Sequence, residues 1–446
     1  MNFPLPLLLV TALGQAPAAP APVAPPAPPP RLLDLKEATR TALLHQPQLL
    51  QARAGTQAAE ARSDEAKSAL LPQLVGAASY SRLTYNFAPR PGSSPSVTAS
   101  ASSSFSTTNY YQASATLSQL IYDFGMTSGK WRAAQASEAS QRDSEAATRN
   151  QIILGVQTAY FTARAGKDLV GVARDNLANQ DLHLKQTEGF VAAGTHPEID
   201  LAQARTNRAN AVVQFINAEN AYETEKAQLN QAMGIEGPTD YEVADDTLPE
   251  VEGEGLPLDP LLEEALKNRP DVTALVAQAR AQGLTLESVR GGFWPSLGVS
   301  TGLTDAGVAL DATAWNWNIT ATLTWNLYQG GLTKAQTREA QANLDSAQAQ
   351  IAAVRQQVRV DVEQARLAVR AAKESLGAAG EAVVNAREQL RLAEGRYAAG
   401  VGNAVELGDA QVAYTTAAAQ RVQADYNLAS SRAQLLRALG REEPHA

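Results

Sequence analysis

Trp315-Asn316-Trp317-Asn318-Ile319-Thr320-Ala321-Thr322-Leu323-Thr324-Trp325-Asn326-Leu327 is the stretch on which the fold turns. Its odd positions are apolar and its even positions are Asn or Thr. In an extended chain, successive side chains point to opposite faces, so this run makes a strand with one greasy face and one polar face. Trp315 and Trp325 stand ten residues apart, about 33 Å along a strand and about 25 Å in height at the tilt of an outer-membrane barrel. Two aromatic girdles need that spacing, which marks Trp315, Trp317 and Trp325 as lipid-interface candidates. A half-buried sheet of a soluble protein would show the same alternation without requiring the tryptophan spacing.

The same pattern appears at Leu297, Val299, Thr301 and Leu303, more weakly at Tyr111, Ala113, Ala115, Leu117 and Ile121, and weaker still over Leu74 to Tyr85. Predicted strands therefore cover about 73–85, 109–122, 296–304 and 315–328. The smallest outer-membrane barrels have about eight strands, and an open edge is excluded in lipid. Four strands must then be completed by other copies of the chain. A dimer gives eight and a trimer twelve, and strand number alone does not choose.

The strands sit inside a duplication. Pro47 and Pro270, and Pro72 and Pro295, are 223 positions apart, while Gly125 and Gly331, Gly194 and Gly400, and Gly234 and Gly440 are 206 apart. The 17-residue difference is gained in the first half between Leu74 and Gly125, and falls in the Pro-, Ser- and Gly-rich segment Ala88 to Ser106. That composition reads as a long surface loop joining two strands. The predicted layout is a first repeat over 31–234, an acidic connector over 235–257, a second repeat over 258–440 and a tail over 441–446.

No proline occurs between Pro95 and Pro197 or between Pro295 and Pro444. Helix-forming residues fill both intervals, which predicts long helices over about 126–193 and 332–399 and return helices over 198–233 and 403–440. Each long helix would reach roughly 100 Å, too far for one globular core, so it must pack sideways against other helices. Ile351, Val354, Val358, Val362, Ala365 and Val369 follow three-and-four spacing and form a narrow seam.

Composition closes other avenues. The 446 residues contain no cysteine, so no disulfide framework, thiolate metal site or lipid-anchor cysteine is expected. A net charge of −9 without any basic run disfavours nucleic acid. Met1 to Ala16 reads as a signal peptide and 17–30, nearly all Ala and Pro, as an extended tether. No later run of about 18 apolar residues exists, so a membrane role must use strands.

Two glycine turns reverse the long helices. Gly400, Val401 and Gly402 follow Tyr397, and Gly194, Thr195 and His196 precede Pro197. Glu406 and Asp409 then share one face at the start of a helix, and Asp200 is the repeat counterpart of Glu406. Carboxylates there are favoured by the helix dipole whatever their function, by about 0.3–1 kcal/mol. On a turn, His196 is expected to be solvated.

These features resemble the TolC-like outer-membrane efflux proteins over nearly the whole mature chain. The resemblance rests on the duplication, on Leu71-Pro72-Gln73-Leu74 and Trp294-Pro295-Ser296-Leu297 where strands begin, on Leu327-Tyr328-Gln329-Gly330-Gly331, and on the Tyr397-to-Asp409 turn. It implies a mainly α fold with a small membrane β-barrel: a homotrimer with a twelve-stranded β-barrel and a long periplasmic α-helical barrel. It also implies a gate at the periplasmic end, with Glu406 and Asp409 as an acidic ring, Asp200 and Tyr397 as gate-linking residues, and Gly402 where gated members carry a latching arginine. The implied partners are a periplasmic adaptor (membrane fusion protein) meeting the two turns, an inner-membrane transporter, and outer-membrane lipid.

No catalytic constellation is expected. Gly125 to Lys130 is one residue short of a phosphate loop and Trp131 follows it, so Gly125 reads as a strand-to-helix turn. His45, His183, His196 and His445 lack metal-ligand spacing. No cofactor or metal is expected. The function the resemblance implies is a passive exit duct of a tripartite efflux pump or type I secretion system, and the alternative is a periplasmic coiled-coil adaptor or structural protein that forms no pore.

Overall fold

A computed structural model describes residues 31–84 and 105–441. The predicted signal peptide and tether, residue 85, residues 88–104 of the long loop and residues 442–446 of the tail lie outside the described residues.

The first half runs β1 (Arg31–Leu33), α1 (Leu35–His45), α2 (Pro47–Ser68), β2 (Gln73–Leu83), β3 (Thr108–Tyr122), α3 (Met126–Ala192) and α4 (Glu198–Met233). After β4 (Tyr241–Val243) the second half runs α5 (Leu258–Asn268), α6 (Pro270–Gly291), β5 (Ser296–Gly307), β6 (Thr313–Thr324), α7 (Leu332–Ala398) and α8 (Ala404–Leu439). Helix lengths repeat residue for residue: 11, 22, 67 and 36 in both halves.

Local chemistry fixes the joints. Pro47 and Pro270 each stand at the first turn of a helix, where the missing N–H costs nothing. Gly125 and Gly331 both adopt φ +86° where a strand turns into a long helix, as the sequence reading of Gly125 expected. Gly234 and Gly440 end α4 and α8 in the left-handed region, and a Cβ on either would lie 2.8 Å from backbone at Gln46 or Asn268. Each return helix thus abuts the short-helix corner of its own half.

The four-stranded sheet has the order β2-β3-β5-β6, antiparallel throughout, and β3 beside β5 is where the two halves join. Leu303 faces Trp317, Thr301 faces Ile319 and Leu297 faces Leu323 on one surface. Gly302 with Asn318, Ser300 with Thr320 and Gly298 with Thr322 occupy the other. Among the described residues β2 and β6 have no strand on their far sides. The last strand stops at Thr324 rather than reaching Tyr328, because its partner β5 begins at Ser296 and the preceding Pro295 has no N–H to extend the ladder. Trp325 instead donates its indole N–H to the Phe293 carbonyl at 3.2 Å. There Phe124 stacks on Trp294 at 5.3 Å and tilts against Tyr122 at 4.8 Å, forming an aromatic collar below the sheet.

The main core lies at the waist of the helices. Ile152, Val156, Tyr160 and Phe161 of α3 meet Val358, Val362, Ala365 and Val369 of α7 and Leu435, Leu436 and Leu439 of α8. The acidic connector enters this core. Its β4 pairs in parallel with β1, and Leu248 and Val251 are buried. The Tyr160 hydroxyl ties these pieces together, donating to the Ala244 carbonyl (3.0 Å) or Asp246 (2.9 Å). Burial, together with the adjacent Asp246 carboxylate, drives its pKa far above the usual phenol range. Arg432 donates to the Leu248 carbonyl at 2.9 Å, and Lys373 pairs with Glu250 and Glu254.

Candidate functional site at the helical tip

Far from the sheet, the α3/α4 and α7/α8 hairpins end in matching turns. At the first, Gly194 takes φ +75° and the Thr195 N–H donates to the Phe190 carbonyl at 3.0 Å. At the second, Gly400 takes φ +70° and the N–H groups of Val401 and Gly402 both donate to the Arg396 carbonyl, at 3.1 and 3.0 Å. The left-handed glycine satisfies the last carbonyls of the helix while reversing the chain. The turns present Gly194, Thr195 and Val401 to solvent.

The two hairpins are joined behind these turns by Tyr397, which is 1% exposed. Its ring sits among His183 (5.0 Å between centroids), His196 (5.4 Å) and Phe190 (6.1 Å), and its hydroxyl lies 3.4 Å from that of Thr187. His196 is not the solvated turn residue its sequence position implied. Its ring stacks on Phe190 at 5.0 Å, its Nδ1 lies 3.1 Å from Asp200, and its side chain is 17% exposed. Burial holds the His183 imidazole below its ordinary pKa, with the Asp200 charge opposing that shift.

The acidic residues divide into two settings. Glu406, in the first turn of α8, receives the Asn403 side-chain cap on its N–H at 2.7 Å and pairs its carboxylate with Arg396 at 3.2 Å. Asp409 is exposed and, with Asp200, lines an amide-rich groove of about 640 Å³ between α4 and α8 that also includes Gln180, Asn207 and Gln411. At Gly402 a Cβ would stand 3.0 Å from the Tyr397 nitrogen and 3.1 Å from Arg396 Cβ. A side chain there would have to push its neighbours back by a few tenths of an ångström, and Arg396, six positions earlier, supplies the cation that meets Glu406. The sequence reading missed Arg396, His183 and Thr187, since contact across a turn or between hairpins leaves no local pattern.

At the opposite end, Trp315, Trp317 and Trp325 are all more than half exposed, with Ile319 and Leu323 between them. A strand sheet with a tryptophan-bearing apolar face and, among the described residues, two free edges, standing on helices of 67 residues, defines a protomer of an outer-membrane duct. Comparison with known proteins agrees: residues 38–235 and 261–441 match the outer membrane efflux protein family, and the chain belongs to it. It is 27% identical over 428 residues to Outer membrane protein TolC of Escherichia coli K12, covering 91% of this chain and 82% of that protein. It is 26% identical over 315 residues to the solvent efflux pump outer membrane protein SrpC of Pseudomonas putida, covering 68% of this chain and 64% of that protein.

Among solved structures, the Campylobacter jejuni CmeC outer membrane channel superposes with a TM-score of 0.81 at 20% identity, covering 92% of this chain and 86% of that one. The open state of the Neisseria gonorrhoeae MtrE channel gives 0.75 at 20% identity, covering 92% and 91%. The protein is thus an efflux channel of the outer membrane, its helices projecting into the periplasm, and the resemblance drawn from the sequence is confirmed. The family is one of channels, not of enzymes.

Proposed function

We propose that three copies of this chain close one barrel and form the passive exit duct of a tripartite efflux pump, with the turns at Gly194–His196 and Gly400–Gly402 docking on a periplasmic adaptor. The observation that carries this reading is the sheet whose edges at β2 and β6 are free among the described residues. Unpaired N–H and C=O groups are too costly in hydrocarbon to leave open, so β6 of one copy must meet β2 of the next. Three copies of four strands give twelve, within the known range of about 8 to 26.

In the duct, the polar sheet face lines the lumen with Asn316, Asn318, Thr320, Thr322, Ser300 and Thr304, all uncharged. Charge selection then falls to the tip. Three copies each of Glu406, Asp409 and Asp200 gathered at the periplasmic constriction attract cations. Tyr397, seated in the other hairpin, holds that end. The energy for transport comes from an inner-membrane transporter reached through the adaptor, and likeness to a solvent efflux pump outer membrane protein of Pseudomonas putida favours a pump over protein secretion.

Outer-membrane fractions run on a gel with and without boiling test this reading. A trimer-sized band that boiling collapses to the monomer is the expected result. A monomer in the soluble periplasm would refute the duct and favour a non-pore coiled-coil protein.

A further inference from the structure

In the last third of α3 three buried polar side chains follow one another at helical spacing: Gln180, His183 and Thr187. Residues three and four apart share a face, so they form a polar stripe. Nearer the waist the same helix buries Ile152, Val156, Phe161 and Val170. The stripe faces the other hairpin. Gln180 donates its amide N–H to Gln411 of α8 at 2.8 Å, Thr187 meets the Tyr397 hydroxyl of α7 at 3.4 Å, and the His183 ring stands edge-on to Tyr397.

Two atoms of this seam, Gln180 Oε1 and His183 Nδ1, are buried without a hydrogen-bond partner. An incompletely satisfied polar layer binds less well than an apolar layer of equal size, while still dictating one register. Two helical hairpins joined in this way hold a defined closed position and separate at the tip before they separate at the waist.

We propose that this seam is a proton-released latch: uptake of a proton by His183 parts the two hairpins at the tip and opens the periplasmic end. The inference rests on the duct reading above. An imidazolium has two N–H donors and no acceptor, and the seam offers its Nδ1 nothing to donate to. The other charged groups around it are largely committed. Asp200 of α4 is bonded to His196, and Arg396 is paired with Glu406 across the α7/α8 turn. Asp181 and Glu188 of α3 itself lie against Arg208 and Arg205 of α4, and Asp409 of α8 is exposed in the groove.

The direction follows from linkage. In the packed seam, burial holds the His183 pKa down, against the pull of Asp200. In parted hairpins, the solvated ring titrates near about 6.5. Above that pH both states are neutral at His183 and the closed state is undisturbed. Below it the parted state binds the proton first, so the closed-to-open ratio falls by about tenfold per pH unit per protomer until the packed-state value is reached.

The test uses the full-length protein in planar bilayers between about pH 7.5 and about pH 5.5. Wild type is compared with His183→Gln and His183→Leu, each also in a Glu406→Gln/Asp409→Asn background, which removes titration of Glu406 and Asp409 from the readout. Trimer assembly of every variant is checked by heat-modifiability, and having two replacements guards against one that fails to assemble. The expected result is an open fraction that rises about tenfold or more on acidification in wild type and in the ring-neutralised protein, and stays flat in both His183 variants. A flat wild type, or a rise that survives both His183 replacements, overturns the latch while leaving a conducting duct. Absence of any wild-type current overturns the duct reading itself.

Discussion

Replacing Tyr397 with alanine should unlock the helical tip. The side chain is 1% exposed and fills a socket made by Phe190, His183, His196 and Thr187 of the opposite hairpin. Truncating a buried aromatic residue to alanine costs about 3–5 kcal/mol in a rigid core. The socket lies at the end of a helix pair and can partly collapse, so the lower value, about 3 kcal/mol, is the better guide. Spent entirely on the closed position, that is a shift of more than about a hundredfold in the closed-to-open ratio. Tyr397→Phe separates packing from hydrogen bonding. The hydroxyl contact to Thr187 is long at 3.4 Å, worth about 1 kcal/mol at most and therefore about fivefold. Single-channel recording measures both: Tyr397→Ala should give long-lived large openings, and Tyr397→Phe should remain near wild type. If alanine leaves the traces unchanged, Tyr397 does not hold the tip. If phenylalanine opens the channel as fully as alanine, the hydroxyl rather than the packed ring carries the lock.

Neutralising the acidic ring with Glu406→Gln and Asp409→Asn should raise conductance, reduce cation preference and weaken block by multivalent cations; unchanged reversal potentials would remove these residues from the pore. The two faces of β6 should respond oppositely to arginine. Ile319→Arg, between Trp317 and Leu323 on the apolar face, should cost about 2–4 kcal/mol and lower the temperature at which the trimer dissociates on a gel. Its neighbour Thr320→Arg, on the polar face, should assemble normally and alter conductance instead. Equal loss of assembly for both would mean that the face assignment is wrong.

How much of this was legible in the sequence depended on whether a residue's role was set locally. Trp315 to Leu327 announced its strand because its two faces meet different solvents. β2 was faint because Gly76, Ala77 and Ala78 differ little in polarity. The glycines at 125, 331, 194 and 400 could be placed in advance because a tight reversal demands a left-handed residue. The three-residue β1 could not, since its partner β4 lies about two hundred positions away and three residues hold no period. At the tip, Glu406 and Asp409 were visible as acids near a helix start. Arg396 lay on the far side of a turn, and Gln180, His183 and Thr187 looked like any solvated polar face. Their spacing of three and four was present, but polar residues at that spacing do not declare that another helix covers them.

The joint formed by β1, β4 and Tyr160 has a mechanical consequence. It pins the waist, and from there α4 and α8, each of 36 residues, extend to the tip as arms of about 54 Å. A tilt of about 5° at such a pivot carries the far end about 5 Å, farther than the 3.4 Å that separates the Tyr397 and Thr187 hydroxyls. Separation of the two hydroxyls at the tip therefore requires no helix to unwind. A rearrangement at the waist too small to disturb its own side-chain packing is geared up by the length of the arms into a displacement that breaks the contact between the Tyr397 and Thr187 hydroxyls.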